Sequence, residues 1–178
     1  MTDSRVPFRA TAASAPYDLV GRLPVSVLLD NVRSTYNVGA FFRTADAAGV
    51  EALVLSGITA RPPHRGIAKT ALGAEERVAW RSESDVRACI ADMRGRGVEI
   101  AVIETAPAAV DLFDWRPAFP VCVVFGHEVD GVGHDIIDAA DTLVCLPMRG
   151  TKRSLNVATA GGIVLYELLR KYRALGTR

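Results

Sequence analysis

Nothing in these 178 residues approaches the ~20 consecutive apolar residues that a membrane-spanning helix needs. The first stretch of the chain also lacks the continuous apolar core of a signal peptide, so a cytoplasmic protein with no membrane partner is expected. Cysteine is scarce and odd in number, at three; Cys122 and Cys145 lie inside apolar runs, where a thiol behaves as a small core residue, and disulfides are not implied. His64, His127 and His134 stand at no metal-ligand spacing, and His127-Glu128 with His134 is not the HExxH helix pattern, so no metal is expected. There is no GxxxxGK[ST] phosphate loop and no GxSxG nucleophile elbow. A dinucleotide fingerprint fails as well: Gly131-Val132-Gly133 does not directly follow a strand, and Ile136 stands where the last glycine belongs. The net charge of +1 neither demands nor excludes nucleic acid, so the clustering of charges must decide.

What is present is a well-cored chain that is most simply one domain, long enough to bury roughly 70% of its unfolded surface. Residues 1–22 are small, polar and aperiodic and read as a flexible lead; residues 23–178 form the domain. Short Val/Ile/Leu runs at Pro24–Asp30, Ala52–Ser56, Val78–Trp80, Val98–Ile103, Pro120–Phe125 and Asp141–Leu146 read as strands. Helices are expected at Val38–Ala48, stopped by Gly49, at Ser82–Arg94 with Ser82 or Ser84 as cap, and at His134–Ala140. Alternation of helices with strands that are apolar throughout argues an α/β fold, a parallel sheet with helices on both faces.

In such sheets ligands bind beyond the carboxyl ends of the strands, so the loops there carry the chemistry. The first, Asp30 to Arg43, holds Asn37, a possible helix cap, and Gly39, which permits close approach. Its Arg43 is either a planar fork for phosphate or one solvated arginine on an amphipathic helix. A long loop from Gly57 to Lys69 holds Arg61, His64, Arg65 and Lys69. Glu104-Thr105-Ala106-Pro107 is an ordinary strand-end turn. Gly126 to Gly133 has three glycines and two carboxylates after a buried strand; its Glu128 is either a backbone clamp or a ligand anchor.

The last quarter, Leu146 to Tyr172, reads as a strand end, a polar basic loop with Arg149, Lys152 and Arg153, then a helix for which Ser154 is a natural cap. Gly161 and Gly162 fall early in that helix, where each costs about 1 kcal/mol against alanine. Another helix, a ligand or both must come close to that backbone.

Together these stretches resemble the TrmH-like (SpoU-class) branch of the SPOUT superfamily, RNA ribose 2′-O-methyltransferases that use S-adenosylmethionine. The resemblance rests on Asn37-x-Gly39-x-x-x-Arg43, Phe125-Gly126-x-Glu128-x-x-Gly131 and Leu146-Pro-Met148-x-Gly150-x-x-x-Ser154-Leu155-Asn156-Val, in order, and spans about Pro24 to Tyr172. It implies a C-terminal trefoil knot and a homodimer that brings Arg43 near the partner's pocket. The implied cofactor-binding residues are Thr105, Gly126, His127, Glu128, Gly131, Leu146, Met148, Ser154, Leu155 and Asn156. The implied catalytic residues are Arg43, Glu128, Ser154 and Asn156. RNA contacts are expected from Asn37, Arg43, Arg61, Arg65, Lys69, Arg149, Lys152 and Arg153. A guanidinium pKa above about 12 makes Arg43 a poor base and a better clamp for phosphate and developing alkoxide.

His127 and Val129 replace the Asn and second Gly common in relatives, leaving His127 as a candidate proton acceptor. The chain shows no additional RNA-binding domain, so recognition is expected from the core, the dimer and the basic loops, with tRNA favoured over rRNA. A catalytically silent RNA-binding homologue and a base-methylating SPOUT enzyme are the competing expectations.

Overall fold

Short runs of Val, Ile and Leu with no polar face suit strands that are covered on both sides, and that is what they become. The computed structural model describes residues 21–176, so the lead expected over residues 1–22 lies outside the described residues except for Gly21 and Arg22. In chain order the elements are β1 (Leu23–Asp30), α1 (Thr35–Ala48), β2 (Val50–Ser56), α2 (Arg65–Ala71), a 3₁₀ turn (Ala74–Glu76), β3 (Trp80–Glu83), α3 (Val86–Gly95), β4 (Glu99–Ile103), β5 (Val110–Asp111), β6 (Val121–Phe125), α4 (His134–Ala139), β7 (Thr142–Cys145) and α5 (Val157–Gly176). The strands form one sheet in the order β3-β2-β1-β6-β4-β7-β5, and every pairing is parallel.

Alternate residues of one strand serve two cores. Val121, Val123 and Phe125 of β6 join Phe41 and Phe42 of α1, Ile67 of α2 and Val164, Leu165 and Leu168 of α5. Cys122 and Val124, between them, join Cys89, Ile90 and Met93 of α3 and Ile136 of α4 on the other face. Burial, with Cys89 alongside, pushes the Cys122 thiol up to about 12, so this cysteine is an inert core residue. The expected parallel sheet with helices on both faces is borne out.

Local boundaries shift for identifiable reasons. The cap of α1 is Ser34, whose Oγ accepts from the Asn37 N–H at 3.4 Å; Asn37 itself lies inside the helix. Gly49 ends α1 in the left-handed region (φ 70°), as expected. Neither Ser82 nor Ser84 caps α3: Ser82 pairs with Leu55 of β2, and Asp85 accepts from the Ala88 N–H at 3.0 Å. The supposed loop from Gly57 to Lys69 runs at Arg65 into α2, a seven-residue helix capped by the His64 imidazole, which accepts from the Gly66 N–H at 3.0 Å. Its two buried residues, Ile67 and Ala71, make too short a stripe for periodicity to register.

The long helix α5 is fixed at both ends of its buried face. A Cβ on Gly161 would overlap the Phe41 ring, whereas one on Gly162 would meet nothing within 4 Å. Gly161 is therefore the close approach to another helix, and Gly162 faces outward. Farther along, the Lys171 ammonium donates to the carbonyls of Leu112 (2.7 Å), Phe113 (3.3 Å) and Trp115, tying the segment after β5 onto α5.

Candidate functional site

Parallel strands present all their carboxyl ends at one edge, so the segments leaving β4, β6 and β7 must meet there. They enclose a cleft of about 680 Å³ lined by Glu104 to Pro107, Gly126 to Val132, Leu146, Met148 and Arg153 to Val157. The segment from Gly126 forms a tight hairpin in which His127 and Gly131 exchange both main-chain hydrogen bonds, each 3.0 Å. Gly126 has no room for a Cβ because the Gly131 carbonyl lies against it, and Gly131 needs a positive φ of 72°. Across the cleft the Thr105 hydroxyl donates to the Arg153 carbonyl at 3.4 Å, linking the β4 turn to the basic segment.

One chain of polar side chains joins the three sequence motifs. Both Glu128 oxygens are engaged at the entry to α1: Oε2 accepts from the Arg33 N–H (3.0 Å), and Oε1 accepts from the Ser34 N–H (2.9 Å) and from Asn37 Nδ2 (2.9 Å). Asn37 Oδ1 then accepts from Asn156 Nδ2 at 3.1 Å. Asn156 Oδ1 in turn accepts from the Ala158 (3.0 Å) and Thr159 (3.2 Å) N–H groups. Asn156, not Ser154, is thus the cap of α5; Ser154 sits two residues upstream, in the cleft wall.

The Glu128 carboxyl is shaped by opposing effects. Burial raises its pKa, but donors from Ser34, Arg33 and Asn37 outweigh it and bring the pKa down to about 2. Such a carboxylate is a clamp on the entry to α1 and a very weak base. The His127 ring is occupied too: Nδ1 accepts from the Val129 (3.3 Å) and Asp130 (3.1 Å) N–H groups. Asp130 Oδ2 also lies 3.0 Å from this nitrogen. Two fixed main-chain donors thus converge on Nδ1. Through Nδ1, His127 shapes the hairpin.

All ten residues expected to bind a cofactor, Thr105, Gly126, His127, Glu128, Gly131, Leu146, Met148, Ser154, Leu155 and Asn156, line this one cleft. Of the expected RNA-binding residues, Arg153 lines it, while Arg149 and Lys152 are exposed on the same segment. Arg43 is exposed on α1 and is not among the cleft residues of its own chain. Arg65 and Lys69 belong to helix α2 and not to a loop at the cleft. Arg61 donates to the Ser82 hydroxyl at 2.8 Å, at the β3 edge of the sheet, and does not join the site. Glu104 was passed over by sequence reasoning. Its carboxylate accepts from the Thr105 (2.9 Å) and Val132 (3.2 Å) N–H groups, bracing the hairpin from the floor of the cleft. A carboxylate at the end of a buried strand is the signal that could have found it. Among the described residues no group of three or more His, Cys, Asp and Glu side chains could hold a metal, and no helix is long and apolar enough to cross a membrane.

Residues 24–166 match the model of the SpoU rRNA Methylase family. Among curated proteins, the chain is 35% identical over 149 residues to the 23S rRNA (guanosine-2′-O-)-methyltransferase RlmB of Ralstonia nicotianae, covering 83% of this chain and 59% of that protein. It is 29% identical over 152 residues to the tRNA (guanosine(18)-2′-O)-methyltransferase of Escherichia coli, covering 85% and 66%. The chain therefore spans about three fifths to two thirds of the length of these relatives. Among solved structures it resembles an AdoMet-bound rRNA methyltransferase from Sinorhizobium meliloti (TM-score 0.77, 31% identity, 82% of this chain and 56% of that one). A TrmH/SpoU tRNA modifying enzyme from A. aeolicus is similar at TM-score 0.80 and 26% identity, over 90% of this chain and 84% of that one.

Proposed function

This chain belongs to the SpoU rRNA Methylase family, and from that premise we propose that it transfers the methyl group of S-adenosylmethionine to a ribose 2′-hydroxyl of tRNA or rRNA. The observation that carries this reading is the meeting of the second and third motifs in one cleft, to which the first motif is joined by the hydrogen-bond chain from Glu128 through Asn37 to Asn156. The cleft suits the donor. Its volume of about 680 Å³ is in the range of small-molecule sites. Leu146, Met148 and Leu155 offer apolar walls to the adenosine, and the hairpin from Gly126 to Gly131 offers main-chain groups. The carboxylates of Glu104, Glu128 and Asp130, set against Arg153, favour a ligand that carries sulfonium and ammonium charges.

The sulfonium supplies an activated methyl carbon. The ribose 2′-oxygen forms a bond to that carbon as the carbon–sulfur bond breaks, sulfur keeps the electron pair, and the hydroxyl proton must leave. Glu128, with a pKa of about 2, and His127, with Nδ1 engaged, are unsuited to take it. The proton goes to an RNA phosphate or to water, with Arg43 clamping the phosphate and stabilising alkoxide charge. Because Arg43 stands outside its own cleft, the complete site needs a second copy of the chain, and we assign a homodimer that carries Arg43 to the partner's cleft. The outward face of α5, with Gly162, Ile163 and Tyr166, is suited to that contact. The basic segment from Arg149 to Arg153 reaches for RNA phosphates. A trefoil knot that passes the segment before α5 beneath its neighbours, and a cytoplasmic location, belong to the same reading.

The test is methyl transfer from labelled S-adenosylmethionine to total tRNA and to rRNA taken from cells lacking the gene, followed by nucleoside analysis. Label in a 2′-O-methylnucleoside is expected, guanosine first, because both named relatives act on guanosine. Label on a base would replace ribose with base methylation. Absence of S-adenosylmethionine binding by calorimetry at millimolar ligand would favour a silent RNA-binding protein.

A further inference from the structure

Tyr36 is a large aromatic residue with half its surface exposed (51%), in the first turn of α1 and immediately before Asn37. The Lys69 ammonium lies over its ring, 5.6 Å from the centroid. Arg65 precedes Lys69 by one turn of α2, and Arg33 lies just ahead of α1; all three cations are exposed. Among the described residues none of the three is in an ion pair. The two helices are locked together beneath the ring. Gly39 leaves no room for a Cβ against Thr70 and the Ile67 carbonyl, and the Thr70 hydroxyl donates to the Tyr36 carbonyl at 3.0 Å.

Helical periodicity relates this ring to Arg43. Tyr36, Ala40, Arg43 and Ala47 follow the i, i+4, i+7, i+11 spacing of a single stripe, and each is exposed or half-buried. Tyr36 and Arg43 therefore face the same way, about 10 Å apart along the axis. A ring set among uncompensated cations is a poor match for a second copy of the same surface, whose like charges would meet across a two-fold axis. It suits a single-stranded polyanion that carries flat bases.

We propose that Tyr36 is a stacking platform for an unpaired base that flanks the methylated nucleotide, with Lys69 and Arg65 on the adjoining phosphates. The proposal rests on the reading that the chain methylates RNA. Lys69 lies over the ring on one side, and the base stacks on the other. Stacking tolerates any base but requires it to be out of a duplex, so the substrate segment is a loop or bulge and not a continuous helix.

The test compares wild type, Tyr36→Phe and Tyr36→Ala in binding to short single-stranded oligo(A) and to duplex RNA, beside sedimentation and melting of each protein. Tyr36→Ala is expected to bind oligo(A) roughly 5- to 150-fold more weakly, the equivalent of the ~1–3 kcal/mol that base–aromatic stacking contributes. Tyr36→Phe keeps the wild-type affinity, and duplex binding changes little in either variant. On an RNA that the wild type methylates, Tyr36→Ala raises KM and spares kcat. Unchanged affinity of Tyr36→Ala for oligo(A) would overturn the platform, as would conversion of a dimer to monomers, which would make Tyr36 a subunit contact. Tyr36-dependent RNA binding without any methyl transfer by the wild type would sink the enzymatic reading and leave the platform standing.

Discussion

Asn156 Nδ2 donates to Asn37 Oδ1 over 3.1 Å, joining residues 119 positions apart. The direction of this bond is fixed from both ends. Glu128 can only accept, so Asn37 must turn its amide nitrogen toward it and leave its oxygen for Asn156. The N-terminus of α5 can only donate, so Asn156 must turn its oxygen inward and its nitrogen toward Asn37. Any change that reverses one member disturbs the next.

Asn156→Asp separates the two duties of this residue. The carboxylate still accepts from Ala158 and Thr159, and a negative charge at a helix N-terminus adds ~0.3–1 kcal/mol. It cannot donate to Asn37, however, and places an anion against the Asn37 oxygen. The melting temperature should hold or rise slightly while methyl transfer falls on the order of 100-fold, as expected for a misplaced site. Full activity in a variant of normal stability would make the link to Asn37 dispensable.

Acid should release the Glu128 clamp. Its pKa is depressed in the folded protein, from an ordinary 4.5 to about 2. A depressed carboxyl contributes stability that is present above its unfolded pKa and lost as pH falls through the folded value. Melting of the wild type minus that of Glu128→Gln should therefore be constant above about pH 5 and shrink toward pH 2, following the two pKa values. The pH–rate profile of the wild type between pH 6 and 9 should carry no inflection from this residue. A Glu128-dependent inflection near neutrality would restore it as a general base.

Individual strands could be read because each is a continuous apolar run, as with Val121 to Phe125, and the convergence of loops followed from the parallel sheet. That β6 inserts between β1 and β4 could not be read, since no local pattern specifies a neighbour far away in sequence. The cap of α5, expected at Ser154, lies at Asn156 for a chemical reason: both residues are good caps by type, and it is Asn156 that accepts from the helix N–H groups while its amide nitrogen is held by Asn37. The isolation of Arg43 was legible in part. Arg43 stands six positions after Asn37, a rotation of about 240°, so one helix cannot turn both side chains toward Glu128 and Asn156. The short α2, with a glycine at its second position, gave no periodic signal, and with it went the true surroundings of Arg65 and Lys69.

Subunit mixing tests whether Arg43 acts on a partner. Arg43→Ala is exposed and should leave melting and S-adenosylmethionine affinity unchanged while abolishing most transfer. Asn156→Asp disables the cleft but keeps Arg43. After subunit exchange, a heterodimer of the two contains one site with both an intact cleft and an intact Arg43, so activity should return in the mixture. No recovery, with exchange verified by mass, would place Arg43 in the cleft of its own chain or remove it from catalysis.

The two glycines of α5 should respond in opposite ways to the same substitution. Gly161→Ala drives a Cβ into the Phe41 ring, which is buried (1% exposed) and itself packed on Phe125 at a centroid distance of 5.0 Å. With neighbours that cannot move aside, overpacking should cost ~1–3 kcal/mol. Gly162→Ala has open space and removes a helix-interior glycine, so it should gain about 1 kcal/mol in the monomer. A shift of 1 kcal/mol corresponds to ~2–4 °C in melting temperature for a domain of this size, well within reach of calorimetry. If α5 packs against a second copy through Gly162, the gain should appear only at protein concentrations below the dimer dissociation constant. Above that constant the added methyl sits in the interface, and Gly162→Ala should weaken self-association in sedimentation while Gly161→Ala leaves it unchanged. A Gly162→Ala protein that is more stable and equally dimeric would move the subunit contact off this face of the helix.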